Sequence, residues 1–277
     1  MMRAVKDWKF ILGAALLGIL IAFSVLARPA VSEADIEVGR GDFNQAPSFE
    51  HPLGTDDVGR DVFALMVLGI PPTLYVGLVA GGIATVLATV LGISAGYTGG
   101  AYDAVVRNLS DVTLTIPTLV VLVTIAAYLR DVSIPMTGAI VSIFAWAGPA
   151  RSIRSQTLSL RERPYVRLSQ LTNCRSHEIM GLELLPNLLP YVMAGFVDAV
   201  NGGILAAVGI QLLGLGPLLV PNMGMVLRYA YNGGALYQRM WWWWGPPTVT
   251  LVIIFLSLFL MSMAFDKVGN PRTHAYE

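Results

Sequence analysis

Long apolar runs separated by shorter polar stretches dominate the pattern of this chain. A helix that crosses a bilayer needs about 20 predominantly apolar residues. Runs that approach or exceed this length lie at 10–27, 72–95, 112–129, 133–150, 189–213 and 243–265. The pattern therefore predicts an all-α membrane protein with six transmembrane helices.

The polar stretch at 28–61 and the start of the second run carry turn and helix signals. A turn is expected at 52–54, because proline and glycine lie close together there. The candidate N-caps of a following helix are Thr55, Asp56 and Asp57. We expect a short interfacial helix over 58–68, with Pro71 and Pro72 separating it from the second span.

Polar character returns at 96–111, which is interpreted as a short cytoplasmic link, and Pro117 predicts a kink in the third span. The second run is rich in small residues, which allow helices in lipid to approach closely. Its small-xxx-small spacings involve Gly77, Gly81, Gly92 and Gly96. A specific dimer motif would have this spacing, but so would ordinary packing within the chain, and we favour the latter.

The arginine-rich segment 151–187 is the longest polar block after residue 112. Its leucines, together with Tyr165 and Ile179, recur at three- and four-residue spacings, which predicts a helical interior. Pro164 and Pro186 mark breaks in that interior. A short amphipathic helix here would suit docking of a soluble partner. The alternative is a solvated connector that only fixes the topology.

The positive charges favour an orientation with both termini in the cytoplasm. Twelve then lie inside: Arg3, Lys6, Lys9, Arg107, Arg151, Arg154, Arg161, Arg163, Arg167, Arg175, Lys267 and Arg272. Six lie outside: Arg28, Arg40, Arg60, Arg130, Arg228 and Arg239. This excess agrees with the positive-inside rule and places segment 151–187 in the cytoplasm.

The first and last spans each leave an alternative open. A basic start before an apolar run is also typical of a signal peptide. The run at 10–27 is long enough to span, and no clear small-residue cleavage site follows it, so we expect a retained helix. The four tryptophans at 241–244 would form an aromatic belt at the outer end of the last span. Stacking against a sugar is the alternative.

Composition restricts the chemistry that this chain can perform. Only 13% of its residues are charged, compared with about 25% in soluble domains. The formal net charge of zero argues against a nucleic-acid partner. Cys174 is the single cysteine, so no disulfide can form within the chain, and none of the three lysines follows a glycine as in a P-loop. We expect no catalytic residue, metal site or cofactor.

Asp198 is the one acidic residue inside an apolar run of the fifth span. A carboxylate at membrane depth is a functional candidate by default. It could instead be a structural residue that hydrogen-bonds Asn201 or a neighbouring helix. Both interpretations stay open.

Several sequence motifs occur in collinear order along most of the chain. They are HPLGTDDVGRDVF at 51–63, GYTGGAYDAVVRNLSDVTLTIPTL at 96–119, SLRERPYV at 159–166, LLPNLLP at 184–190, LLGLG at 212–216 and AFDKVGNPR at 264–272. Together they resemble the C-type permease subunits of dipeptide and oligopeptide ATP-binding-cassette (ABC) importers. That family also includes nickel and oligosaccharide systems.

The resemblance implies the six-span fold of type I, binding-protein-dependent importers in the inner (cytoplasmic) membrane of the cell. The corresponding regions are an N-terminal span at 1–28, an external loop at 29–70, a permease core at 71–265 with a coupling loop at 151–187, and a cytoplasmic tail at 266–277. The implied partners are a second homologous permease, two ABC ATPase subunits and an external substrate-binding protein. The implied cargo is a peptide or an oligosaccharide.

The resemblance also assigns roles to individual residues. Contact with the ATPase is expected from Arg161, Glu162, Tyr165, Arg167, Leu168, Leu171, Asn173 and Ile179. Asp198 and Asn201 become candidates for the translocation path.

The coupling loop departs from the family motif. Where the family usually has Glu-Ala-Ala and then glycine four residues later, this chain has Arg167, Leu168, Ser169 and Asn173. Asparagine tolerates the left-handed backbone that glycine supplies, so the turn is expected to survive. The charge reversal leaves an alternative function open, a permease-derived structural subunit that no longer docks an ATPase. A self-sufficient secondary transporter is less favoured, because the spans contain few ionisable residues and no internal repeat.

Overall fold

The computed structural model describes residues 2–129, 132–217 and 220–269, and these residues are almost entirely helical. Ten helices of eight or more residues are numbered in chain order: α1 Trp8–Ala27, α2 Val62–Thr98, α3 Gly100–Thr115, α4 Thr118–Tyr128, α5 Ile134–Ala145, α6 Ala147–Arg161, α7 Pro164–Leu171, α8 Ser176–Leu212, α9 Met223–Asn232 and α10 Trp241–Gly269. The predicted all-α class is confirmed. The turn predicted at Arg130 and Asp131 and the tail charge Arg272 lie outside the described residues.

Four of the helices, α1, α2, α8 and α10, are long and apolar enough to cross a membrane. The pair α3 and α4 makes a fifth candidate, although it bends by 79° where Ile116 and Pro117 interrupt it. Helix α5 has 12 residues, or about 18 Å, and a bilayer core is about 30 Å thick. Six complete spans therefore stay a prediction. The segment 96–111, predicted as a link, is mostly helix α3 instead.

Helix α2 differs most from the prediction, because it continues through Pro71 and Pro72. The expected interfacial helix ending before these prolines is wrong, and the boundary drawn at residue 70 falls inside α2. Pro71 has no N–H group to donate to the carbonyl of Val67, so this carbonyl lacks its usual hydrogen bond within the helix. The hydroxyl of Ser24 on α1 donates to that oxygen at 2.7 Å and so compensates for the proline.

Helix α2 is also the centre of the bundle, with α5, α6 and α8 packed around it. Its glycines permit this close packing. A Cβ atom added at Gly81 would lie 2.4 Å from Val200 of α8, and one at Gly92 would lie 2.9 Å from the carbonyl oxygen of Ala150 on α6. Gly77 and Gly96 face the same two helices. Packing within the chain, rather than a dimer motif, is therefore confirmed.

The loop at 28–61 is folded tightly against α9 by what we call the loop clamp, formed by Asp56, Arg60 and Tyr229. The fully buried carboxylate of Asp56 accepts a hydrogen bond from Arg60 Nε at 2.6 Å. The guanidinium carbon of Arg60 lies 4.1 Å from the centroid of the Tyr229 ring, in cation–π geometry. Asp56 is therefore a clamp residue, and Asp61 is the N-cap of α2, accepting from the N–H group of Ala64.

The tryptophans at the start of α10 belong partly to the core. Trp243 is fully buried and packs where Gly233 leaves room for its ring. Trp242 packs against Gly54 of the loop, whereas Trp241 is exposed. The prediction that all four tryptophans form an aromatic belt is therefore wrong for Trp243. This side chain packs in the core, at the end of the bundle near the loop.

Candidate functional site between α6 and α8

The segment 151–187 forms three helical pieces. Residues 151–161 complete α6, and the chain then turns at Glu162 and Arg163 before α7 begins at Pro164. Proline suits the first turn of a helix because its N–H would be unpaired there anyway. The break predicted at Pro164 is confirmed.

A tight turn between α7 and α8 is made by Asn173. Its φ angle of 62° lies in the left-handed region, which asparagine tolerates better than most residues. The next N–H group, that of Cys174, donates to the carbonyl of Ser169 at 3.1 Å and closes the end of α7. The expectation that asparagine preserves the turn is confirmed.

Helix α7 has two distinct faces. Val166 is fully buried and packs in one cluster with Leu184 of α8. On the other face, Tyr165 is 40% exposed, Leu168 62% and Leu171 83%. These three side chains, which we call the α7 patch, therefore leave a partly apolar surface open on this helix.

The predicted anchor Ile179 does not belong to that surface, because it is buried in the same cluster as Val166. Helix α8 has π-helical hydrogen bonding over Ile179–Leu184, and this wider turn changes which side chains face inward. The helix continues through Pro186, so the break predicted there is wrong. Leu182, which the sequence reading missed, is 77% exposed.

Two predicted arginines have partners within the chain. Arg161 donates from Nη1 to the carbonyls of Tyr97 at 3.1 Å and Gly96 at 3.4 Å, at the C-terminal end of α2. A cation is favoured there by the helix dipole. Arg167 pairs with Glu162 on the surface, and its guanidinium holds the pKa of that carboxyl below its usual value.

Two further ion pairs, which sequence reading did not identify, fix α3 to α6. Arg154 donates two hydrogen bonds to the carboxylate of Asp103, and both side chains are largely shielded. Arg151 pairs with Asp111 at a more exposed position. These contacts orient the helix from which the candidate segment continues.

A hydrogen bond connects α7 with the π-helical turn of α8. The hydroxyl of Ser169 donates to Oε1 of Glu183, 14 residues further along the chain. No sequence pattern indicates Glu183, because residues 14 apart across a turn have no periodic relation. The other oxygen of Glu183, Oε2, is buried and has no hydrogen-bond partner within the described part of the chain.

The predicted pair on α8 is not joined. Asp198 is exposed, and no hydrogen bond links its side chain to Oδ1 of Asn201, although both residues are described. Oδ1 of Asn201 is buried and likewise finds no partner among the described residues. Within the same ranges, no group of three or more His, Cys, Asp or Glu side chains could hold a metal ion.

The sequence matches known membrane transport proteins. A family model described as "Binding-protein-dependent transport system inner membrane component" matches residues 88–275. The oligopeptide transport system permease protein OppC of Lactococcus lactis is 28% identical over 223 residues, covering 80% of this chain and 76% of that protein. The dipeptide permease DppC of Alkalihalophilus pseudofirmus is 29% identical over 225 residues, covering 80% and 73%. The glutathione permease GsiD of Pectobacterium atrosepticum is 26% identical over 237 residues, covering 84% and 74%.

Proposed function

Because this chain belongs to the family of binding-protein-dependent transport system inner membrane components, we propose that it is the C-type permease subunit of an ATP-driven peptide importer. The relatives carry oligopeptide, dipeptide and glutathione names, which favours peptides over oligosaccharides as the cargo. In this proposal the chain has six spans in the inner cell membrane, with both termini in the cytoplasm. It forms half of the translocation path, and a second homologous permease forms the other half.

The exposed α7 patch is the observation that carries this proposal. Three large side chains on an eight-residue helix are between 40% and 83% exposed, and such a face is suited to a groove on a soluble protein. We infer that two ABC ATPase subunits dock below the two permeases, one of them against α7. An external binding protein would deliver the peptide from the other side.

The divergent coupling motif is compatible with docking. Asn173, which stands where the family motif usually has glycine, makes a left-handed turn here, and the charge of Arg167 is balanced by Glu162 within the chain. The alternative of a structural subunit without an ATPase rests on Arg167, and this internal pairing weakens it.

Asp198 supports a role for α8 in the path. A carboxylate at membrane depth avoids lipid and faces either a water-filled cavity or a partner protein. Because Asp198 is exposed in the single chain, we propose that it and Asn201 line the path between the two permeases.

Purification from native membranes tests this function. A tagged chain in mild detergent should retain a second polytopic permease and nucleotide-binding subunits, and the complex should hydrolyse ATP in response to peptide-loaded binding protein. A stable complex that contains no nucleotide-binding subunit would support the structural alternative instead.

A further inference from the structure

Few contacts hold α7 against the rest of the chain. Its inner face contributes Val166 to the core, and Ser169 lies one turn further along the same face. An isolated helix of eight residues is unstable in water. The contacts of this face therefore decide where α7 lies relative to α8.

Ser169 supplies the polar contact of that face. Its hydroxyl has one proton and two acceptors within reach, the carboxylate of Glu183 and the carbonyl of Tyr165 at 3.2 Å. A hydrogen bond to a charged acceptor is roughly twice as strong as one between neutral groups. The proton is therefore directed to Glu183 and joins α7 to α8.

Glu183 depends on this bond. It lies in the π-helical turn Ile179–Leu184, and such turns occur frequently at functional sites. Since its Oε2 atom is buried without a partner in the described chain, Ser169 is the donor that its carboxylate has. Removing the hydroxyl would leave this half-buried carboxylate, one oxygen of which is inaccessible to solvent, without its donor, which is unfavourable.

Resting on the coupling function proposed above, we propose that Ser169 and Glu183 form a joint through which movement of α7 passes to α8. Both are positioning residues, and neither has to touch nucleotide or peptide. Helix α8 also carries Asp198 and Asn201, so the joint connects the ATPase-facing surface with the face assigned to the translocation path. An alanine, which the family motif usually has at this position, could not form the bond.

Peptide uptake per ATP hydrolysed tests the joint. The complete complex would be reconstituted in proteoliposomes with its binding protein. Ser169→Ala should lower this ratio by about fivefold or more, because the half-buried carboxylate of Glu183 loses its donor and the bond between α7 and α8 is lost. Ser169→Thr, which retains a hydroxyl, should keep most of the ratio. Ser159→Ala, an exposed position on α6, is the matched control and should change nothing.

A double variant separates a shared joint from two independent structural effects. Combining Ser169→Ala with Glu183→Leu removes both partners, and replacing both ends of a hydrogen bond by apolar groups can be nearly neutral. Assembly and thermal stability should therefore recover, whereas the ratio should stay about as low as in Ser169→Ala alone, because both variants lack the bond through which the joint acts. Losses that add, or a ratio that returns to the wild-type value, would overturn the joint. If Ser169→Ala fails to assemble, an assembled double variant with a low ratio supports the joint, and an assembled double variant that couples normally overturns it.

The outcomes also distinguish the joint from the proposed function. A wild-type chain that retains no ATPase removes the basis of both. A wild-type complex that couples normally, and couples equally well with Ser169→Ala, overturns the joint alone.

Discussion

The loop at 28–61 and the segment around α7 are both polar connections between spans, yet they are built in opposite ways. In the loop clamp, the charges of Asp56 and Arg60 are paired in the interior and covered by Tyr229. In α7, the charges lie outside, and Leu168 and Leu171 are exposed as well. The charges of the loop clamp are therefore paired within this chain, whereas the exposed leucines of α7 form a surface suited to a partner. Changes in the first should affect folding, and changes in the second should affect assembly.

The largest effect is expected from breaking the loop clamp. Arg60→Ala leaves the carboxylate of Asp56 buried and unpaired, which should lower the free energy of unfolding by about 3–5 kcal/mol. Thermal unfolding in detergent measures this. Arg40→Ala is the matched control, because Arg40 makes only an exposed contact with Asp35 at 3.8 Å, worth about 0–1 kcal/mol. Equal losses of unfolding free energy in the two variants would show that the loop clamp does not stabilise the fold more than an exposed contact does.

The next effect concerns the α7 patch. Leu168→Asp with Leu171→Asp should leave thermal unfolding unchanged, because neither side chain packs in the chain. The same variant should lose about 2–4 kcal/mol of ATPase binding, as expected for central interface anchors. ATPase retained on the tagged complex is the measurement. Val166→Asp is the contrast: it places the same group in the core and should prevent folding. If the variant with both leucines replaced retained the ATPase fully, the α7 patch would not be part of the ATPase interface.

A smaller effect is expected at the surface pair of Arg167 and Glu162. Arg167→Glu brings two exposed carboxylates together and should weaken ATPase binding only slightly, and less so at high salt. The double variant Arg167→Glu with Glu162→Arg, which exchanges the two residues, should restore ATPase binding. Because Arg167 holds the pKa of Glu162 below its usual value, the pair persists at neutral pH and is lost only as the pH falls through that lowered pKa. A loss as large as that of the leucine variants would mean that Arg167 itself contacts the ATPase.

The smallest effect is expected at Asp57, beside the loop clamp. Burial, followed by the charge of Asp56, raises the pKa of Asp57, although Arg60 opposes this. A carboxyl group whose pKa is higher in the folded than in the unfolded protein favours folding while it is protonated, at acidic pH. As the pH rises through the folded pKa the group becomes charged, and this contribution to the stability of the fold is lost. Asp57→Asn should therefore raise the unfolding temperature slightly at neutral pH and have no effect at acidic pH. A pH-independent change would rule out this electrostatic cause.

The sequence predicts features that depend on local residue pattern. The apolar runs locate α1, α8 and α10, and asparagine at 173 predicts the left-handed turn after α7. Proline at 164 likewise predicts where α7 begins. Each depends on a property of one residue or of one continuous run.

Features that depend on distant contacts are not predictable in this way. Pro71 and Pro72 indicate a break, but the hydroxyl of Ser24, 43 residues earlier in the chain than Val67, compensates for the lost hydrogen bond. The expected ATPase contact Ile179 is buried at the start of the π-helical turn, and apolar spacing along the sequence does not indicate such a turn. Pairing of Ser169 with Glu183 likewise depends on how two helices meet.

Cross-linking from Cys174 tests most directly whether α7 faces an ATPase. Cys174 is the only cysteine of the chain and is exposed in the turn after α7. A short thiol-specific photo-cross-linker attached there in the native complex should capture a nucleotide-binding subunit. The same reagent on Ser48→Cys, in a Cys174→Ser background, should capture none. Capture of an ATPase from Ser48→Cys, or from neither position in a complex that contains the ATPase, would contradict docking at α7.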